Sequence, residues 1–110
     1  MRVRLIKRKT VLDFATANAG GRIPFEHWLT LINMADWGVP SDIKKTFRSA
    51  DILGKSSNRV VFDIGGNNYR IICTYHFGAA TVYLYVKWIG THAAYTSICQ
   101  RNEQYSINNY

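Results

Sequence analysis

The sequence predicts an α+β domain in which two or three helices pack on one face of a small, mostly antiparallel sheet. Three observations carry that expectation. Apolar residues recur at helical spacing in the first half of the chain. Apolar–polar alternation and β-branched or aromatic residues dominate the second half. Glycine-bearing turns, not helices, separate the strand-like segments, which argues against alternating βαβ units.

Taken in order, Val3 to Ile6 forms a short strand. Thr10 is the expected N-cap of a first helix carrying Val11, Leu12, Phe14 and Ala15, because a hydroxyl satisfies the free N–H groups at a helix start. Asn18 to Gly21 ends that helix, since glycine tolerates left-handed backbone. A second helix begins near Pro24, and Phe25, Trp28, Leu29, Ile32 and Ala35 fall on one of its faces. Gly38 and Pro40 stop it, and Ser41 or Asp42 opens a short third helix through Phe47. Strands follow at Arg59 to Ile64 and Tyr69 to Tyr75, joined by the turn Gly65-Gly66-Asn67-Asn68, whose residues accept positive φ at little cost. A last strand spans Thr81 to Ile89. Val82, Leu84 and Val86 point one way, Tyr83, Tyr85 and Lys87 the other. Thr91 caps a short helix through Cys99, and the polar tail from about Arg101 is expected to fray.

The chain of 110 residues suits one domain spanning 1–110, and 47% hydrophobic residues supply its core. Fourteen Lys and Arg against seven Asp and Glu give a net charge of +7 and a pI near 9.7. Such a surface attracts nucleic acid and acidic proteins. Cys73 and Cys99 form no CxxC and are read as small buried thiols. The apolar stretch near Thr81 to Ile89 is short and interrupted by Lys87, so no membrane span is expected. The basic N-terminus lacks the long apolar stretch of a secretory signal, and the cytoplasm is the expected location. The histidines are scattered, Gly65-Gly66 lacks GxGxxG spacing, and there is no GxSxG, so metal sites, nucleotide loops and serine hydrolase chemistry find no support.

Several stretches, in their order and spacing, resemble the HigB family of toxins, relatives of the RelE-like ribonucleases. These are Lys7-Arg8-Lys9-Thr10-Val11-Leu12, Ser41-Asp42-Ile43-Lys44 with Phe47-Arg48-Ser49-Ala50-Asp51, the run from Arg59 to Ile72, and Gly90-Thr91-His92-Ala93-Ala94-Tyr95. Departures fall at Asp63, Ala94 and Thr96, where family members often carry Asn, Glu and Asp. The resemblance implies a RelE-like fold and the toxin half of a type II toxin–antitoxin pair. It implies cleavage of mRNA, often on the translating ribosome, without a metal or other cofactor. It also implies a helix-turn-helix antitoxin partner in a heteromeric complex.

Such cleavage has a 2′-hydroxyl attack the neighbouring phosphate. One group must take the 2′-OH proton, one must stabilise the added negative charge, and one must protonate the departing 5′-oxygen. Arg70, at the end of the family motif, can grip two phosphate oxygens through its fork. Lys87 can neutralise a phosphate or, among other cations, act as base. His92 is the natural acid or base. Tyr95, one helical turn later, can stack on a nucleobase or donate a proton. Arg48 and Arg59 are expected to position RNA phosphates, whereas His27 and His76 are read as structural. A non-catalytic RNA- or ribosome-binding inhibitor, or an antitoxin-binding scaffold that has lost activity, would use the same basic and aromatic surface.

Overall fold

Alternation along the last strand decides how the chain layers. Val82, Leu84 and Val86 are fully buried, while Tyr83, Tyr85 and Lys87 are half-buried, so one strand face meets a core and the other faces outward. The computed structural model describes residues 1–110. Its sheet has five strands: β1 (Arg2–Ile6), β2 (Asp51–Ile52), β3 (Arg59–Ile64), β4 (Tyr69–Phe77) and β5 (Thr81–Thr91), in the order β1-β5-β4-β3-β2. β1 runs parallel to β5, with Val3 opposite Val82, and every other pairing is antiparallel. The fold is thus α+β with a mixed, open sheet. The two-residue β2 is too short to leave an alternation in the sequence.

Three helices cover one face: α1 (Arg8–Ala17), α2 (Arg22–Met34) and α3 (Asp42–Thr46). α1 begins two residues before the expected Thr10 cap. The chain turns at Lys7, which takes a left-handed conformation with φ of 74° and no side-chain cap. A 3-10 turn over Ala19–Gly21 leads directly into α2, so Pro24 lies within its first turn, where no N–H is required of it. Gly21 is obligatory there, because a Cβ would lie 2.9 Å from the rings of both Phe25 and Tyr69. The expected α2 stripe of Phe25, Trp28, Leu29, Ile32 and Ala35 is buried throughout. Trp28 and Phe47 close on Phe62 of β3 with ring centroids 5.3 and 5.0 Å away, both edge-on, and each such ring contributes about 2–3 kcal/mol through burial.

The fourth helix, α4 (His92–Gln100), lies on the opposite face. Ile98 packs there with Leu53, Val61, Ile72 and Trp88, and Tyr95, Tyr105 and Ile107 flank the cluster. The tail beyond Arg101, expected to fray, is instead held across this face. Arg59 is buried and donates to the carbonyls of Gln104 at 3.3 Å and Ile107 at 2.7 Å. A β-bulge at Ile72/Cys73 pairs Ile72 with Trp88 and Cys73 with Val86, which skips Lys87. The Lys87 carbonyl accepts from the Asn109 N–H at 2.9 Å. The tail's polar composition misleads because its anchors are main-chain carbonyls and two apolar side chains. No helix is long and apolar enough to cross a membrane. Both cysteines are free, Cys73 buried and Cys99 half-buried.

Candidate functional site

The hairpin joining β3 and β4 builds one end of the sheet. Gly65 and Gly66 both take positive φ, 63° and 66°, and turn the chain within four residues. That turn makes Asp63 and Arg70 direct cross-strand partners. Arg70 folds back over the turn. Its Nε meets Asp63 Oδ1 at 2.9 Å, Nη1 donates to Tyr69 O at 2.9 Å and Gly66 O at 3.4 Å, and Nη2 donates to Asn67 Oδ1 at 3.3 Å. The residue is only 6% exposed. Its fork is therefore committed to bracing the hairpin, not presented to a phosphate as the sequence suggested.

α4 is tied to the same turn. Thr91 leaves β5 and caps the helix, its hydroxyl accepting from Ala94 N–H at 3.2 Å. The His92 N–H donates to Asn68 O at 3.0 Å, so the first residue of α4 is fastened to the hairpin. The His92 imidazole is exposed and makes no hydrogen bond. One turn along, Tyr95 is half-buried beside Trp88, with ring centroids 6.2 Å apart. Burial pushes its phenol well above the ordinary value. The adjacent Cys99 side chain and the charge of Asp51 push the same way, and Arg70 opposes them. The shift favours the protonated phenol.

Arg48 is exposed in the segment between α3 and β2 and carries no ion pair. Its neighbour Phe47 packs on Phe62, the residue before Asp63. The hairpin end thus gathers Arg70, His92 and Tyr95. Lys87 is not among them. It lies three residues before Gly90, the partner of Arg70, roughly 10 Å away along the strand. Its Nζ stands 5.8 Å from the centre of the Tyr85 ring. Arg59, expected to position RNA, sits at the opposite end of β3, buried beneath the tail. His27 is exposed and lines a cavity of about 310 Å³ on the helical side with Pro24, Trp28, Leu31 and Phe47. His76, read like His27 as structural, is exposed on the far end of β4 with its ring 6.2 Å from that of Tyr83.

Reading residues one at a time missed Asp63, Asn67 and Asn68 as residues that position the others, whereas Thr91 caps α4 as its sequence position indicates. A signal existed for the first: a four-residue turn at Gly65–Asn68 fixes the register and sets Asp63 opposite Arg70. No group of three His, Cys, Asp or Glu side chains stands close enough to hold a metal ion.

Residues 22–98 match the HigB_toxin family, described as the RelE-like toxic component of a toxin–antitoxin system. No individual characterised protein matches the chain. The matched stretch contains the hairpin, β5 and most of α4, and ends before the tail. A toxin of this kind implies an antitoxin partner. With well over half of its length matched, the chain belongs to the HigB family of RelE-like toxins.

Proposed function

We propose that this toxin halts growth by cutting mRNA, in the cytoplasm and in association with the ribosome, without a metal. The observation that supports this reading best is the exposed, unbonded imidazole of His92, fastened by its own backbone to the Arg70-braced hairpin. A proton-transfer group for phosphodiester cleavage must reach solvent-borne substrate and yet be held in place, and His92 meets both requirements. In the reaction the 2′-oxygen attacks phosphorus, its proton passes to His92, and the P–O5′ bond breaks as the 5′-oxygen takes a proton from solvent water, leaving a 2′,3′-cyclic phosphate and a 5′-hydroxyl. Tyr95, held protonated, donates a hydrogen bond to a phosphoryl oxygen or stacks on the flanking base. Arg70 acts by bracing the hairpin and by its charge, and Arg48 meets a neighbouring phosphate. A helix-turn-helix antitoxin of acidic surface would neutralise the basic toxin in a heteromeric complex.

A second reading is favoured by one observation. The Arg70 fork is already occupied by Asp63, Tyr69 O, Gly66 O and Asn67, as it would be in a toxin that binds RNA or ribosome without cutting. Inducible expression in a bacterial host, with new RNA 5′ ends mapped soon after induction, separates the two. New ends inside translated regions, lost in His92→Ala, support cleavage. Growth arrest with no new ends would reject it.

A further inference from the structure

Proton transfer at the hairpin end leaves one surface unused. On the sheet face away from α1, α2 and α3, Arg4, Tyr83 and His76 stand in register across β1, β5 and β4. Ile6, Tyr85 and Thr74 form the next row. The rings of His76 and Tyr83 lie 6.2 Å apart with planes at 30°, and those of Tyr83 and Tyr85 lie 6.5 Å apart at 27°. Lys87 continues the line over Tyr85. The result is a row of three near-parallel rings with a cation at each side. His76 is exposed and both tyrosines are half-buried, so the ring faces are not consumed by the core.

The three strands that build this row carry charge of one sign, although Asp36 stands beside Arg2 and Asp63 pairs with Arg70. β1, β4 and β5 contain no Asp or Glu, yet they carry Arg2, Arg4, Arg70 and Lys87. The tail bounds the row on one side, where Asn109 N–H meets Lys87 O. At the His76 end of β4 lies a groove of about 390 Å³, lined by Val39, Pro40, Asn58 and His76 together with Tyr75 and Phe77, which pack toward the helical face.

We infer that this face is a subsite for single-stranded RNA, with nucleobases stacked on His76, Tyr83 and Tyr85 and phosphates held by Arg4 and Lys87. Stacking on aromatic side chains suits any base, because every base has a π-face. Uncompensated cations beside the rings supply the backbone attraction. An acidic protein segment would be drawn by the same charge but has no use for a row of parallel rings. The inference deepens the nuclease reading, and rests on it for the identity of the polymer. It also gives Lys87, which stands apart from His92, a binding role in place of a chemical one.

The test is fluorescence anisotropy with a labelled twelve-nucleotide single-stranded RNA, in a His92→Ala parent so that the RNA stays intact. Tyr83→Ala and Tyr85→Ala should each weaken binding roughly 5- to 150-fold. The Phe variants, which keep the π-face, should stay within about twofold of the parent. Leu variants keep apolar bulk without a π-face and should behave like Ala, so a fold defect in an Ala variant does not decide the outcome. Lys87→Ala should lower the salt slope of binding by about one. Leu variants that bind RNA as well as the parent would overturn the subsite. So would variants that lose antitoxin binding while keeping RNA affinity, which would reassign the face to the antitoxin. Cleavage by protein with His92 intact is measured separately. RNA bound through the rings but never cut would support the subsite and reject the nuclease reading alone.

Discussion

Arg59→Ala tests how the tail is held. The guanidinium is buried and its hydrogen-bond acceptors are two tail carbonyls, Gln104 O at 3.3 Å and Ile107 O at 2.7 Å. Hydrogen bonds from a charged donor contribute roughly 1.5–3 kcal/mol each. Part of this is offset, because the substitution also removes a desolvated cation; burial already lowers the pKa of Arg59. A net loss of about 2–3 kcal/mol follows, and in a chain of this size it lowers Tm by roughly 8–15 °C. The damage should begin in the tail. The Asn109 amide, bonded to Lys87 O, should exchange with solvent roughly 30- to 150-fold faster if the loss appears as local opening. Thermal denaturation followed by circular dichroism and amide exchange by NMR read the two effects. Arg59→Lys, which keeps the charge and loses the fork, should fall between. An unchanged Tm with an unchanged Asn109 exchange rate would refute the clamp. If RNA binding weakened instead, Arg59 would return to the RNA-contacting role its sequence position suggested.

Two more outcomes follow from the same structure. Arg70→Ala should destabilise the protein by about 2–4 kcal/mol, because it strands Asp63 and frees the turn; urea unfolding should show it, and an Arg70→Ala variant as stable as wild type would contradict the brace. Stability should also decline as pH rises past the ordinary thiol and phenol values of 9.0 and 10.0, since burial holds Cys73 and Tyr95 protonated in the folded state. The folded chain keeps protons there that the unfolded chain releases, so unfolding gains with rising pH. Tyr95→Phe should remove the phenol's share of that decline, and a urea midpoint constant from pH 8 to 11 would contradict it.

Much of the architecture was legible because it rests on periodicity. The α2 stripe from Phe25 to Ala35 and the alternation from Val82 to Lys87 each state which side is buried. The Thr91 cap was readable from a hydroxyl at a strand–helix junction. What escaped depends on long-range main-chain acceptors. Arg59 reads as a free cation until Gln104 and Ile107 arrive from over forty residues away. Arg70 reads as a phosphate grip until the turn closes Gly66, Asn67 and Tyr69 around it. Lys87 shares a strand with the approach to His92, and nothing in local sequence shows that the bulge and the strand's length keep them apart. The His76–Tyr83–Tyr85 row required the register of β4 against β5, which is set by the turn between them.

The most direct measurement uses purified toxin, translating ribosomes and an end-labelled mRNA, with the termini of the products analysed chemically. The expected result is cut mRNA ending in 2′,3′-cyclic phosphate, absent with a His92→Ala variant whose Tm matches wild type, since the imidazole is exposed and unbonded. Intact mRNA while translation stops, or equal cutting by His92→Ala, would contradict cleavage at His92.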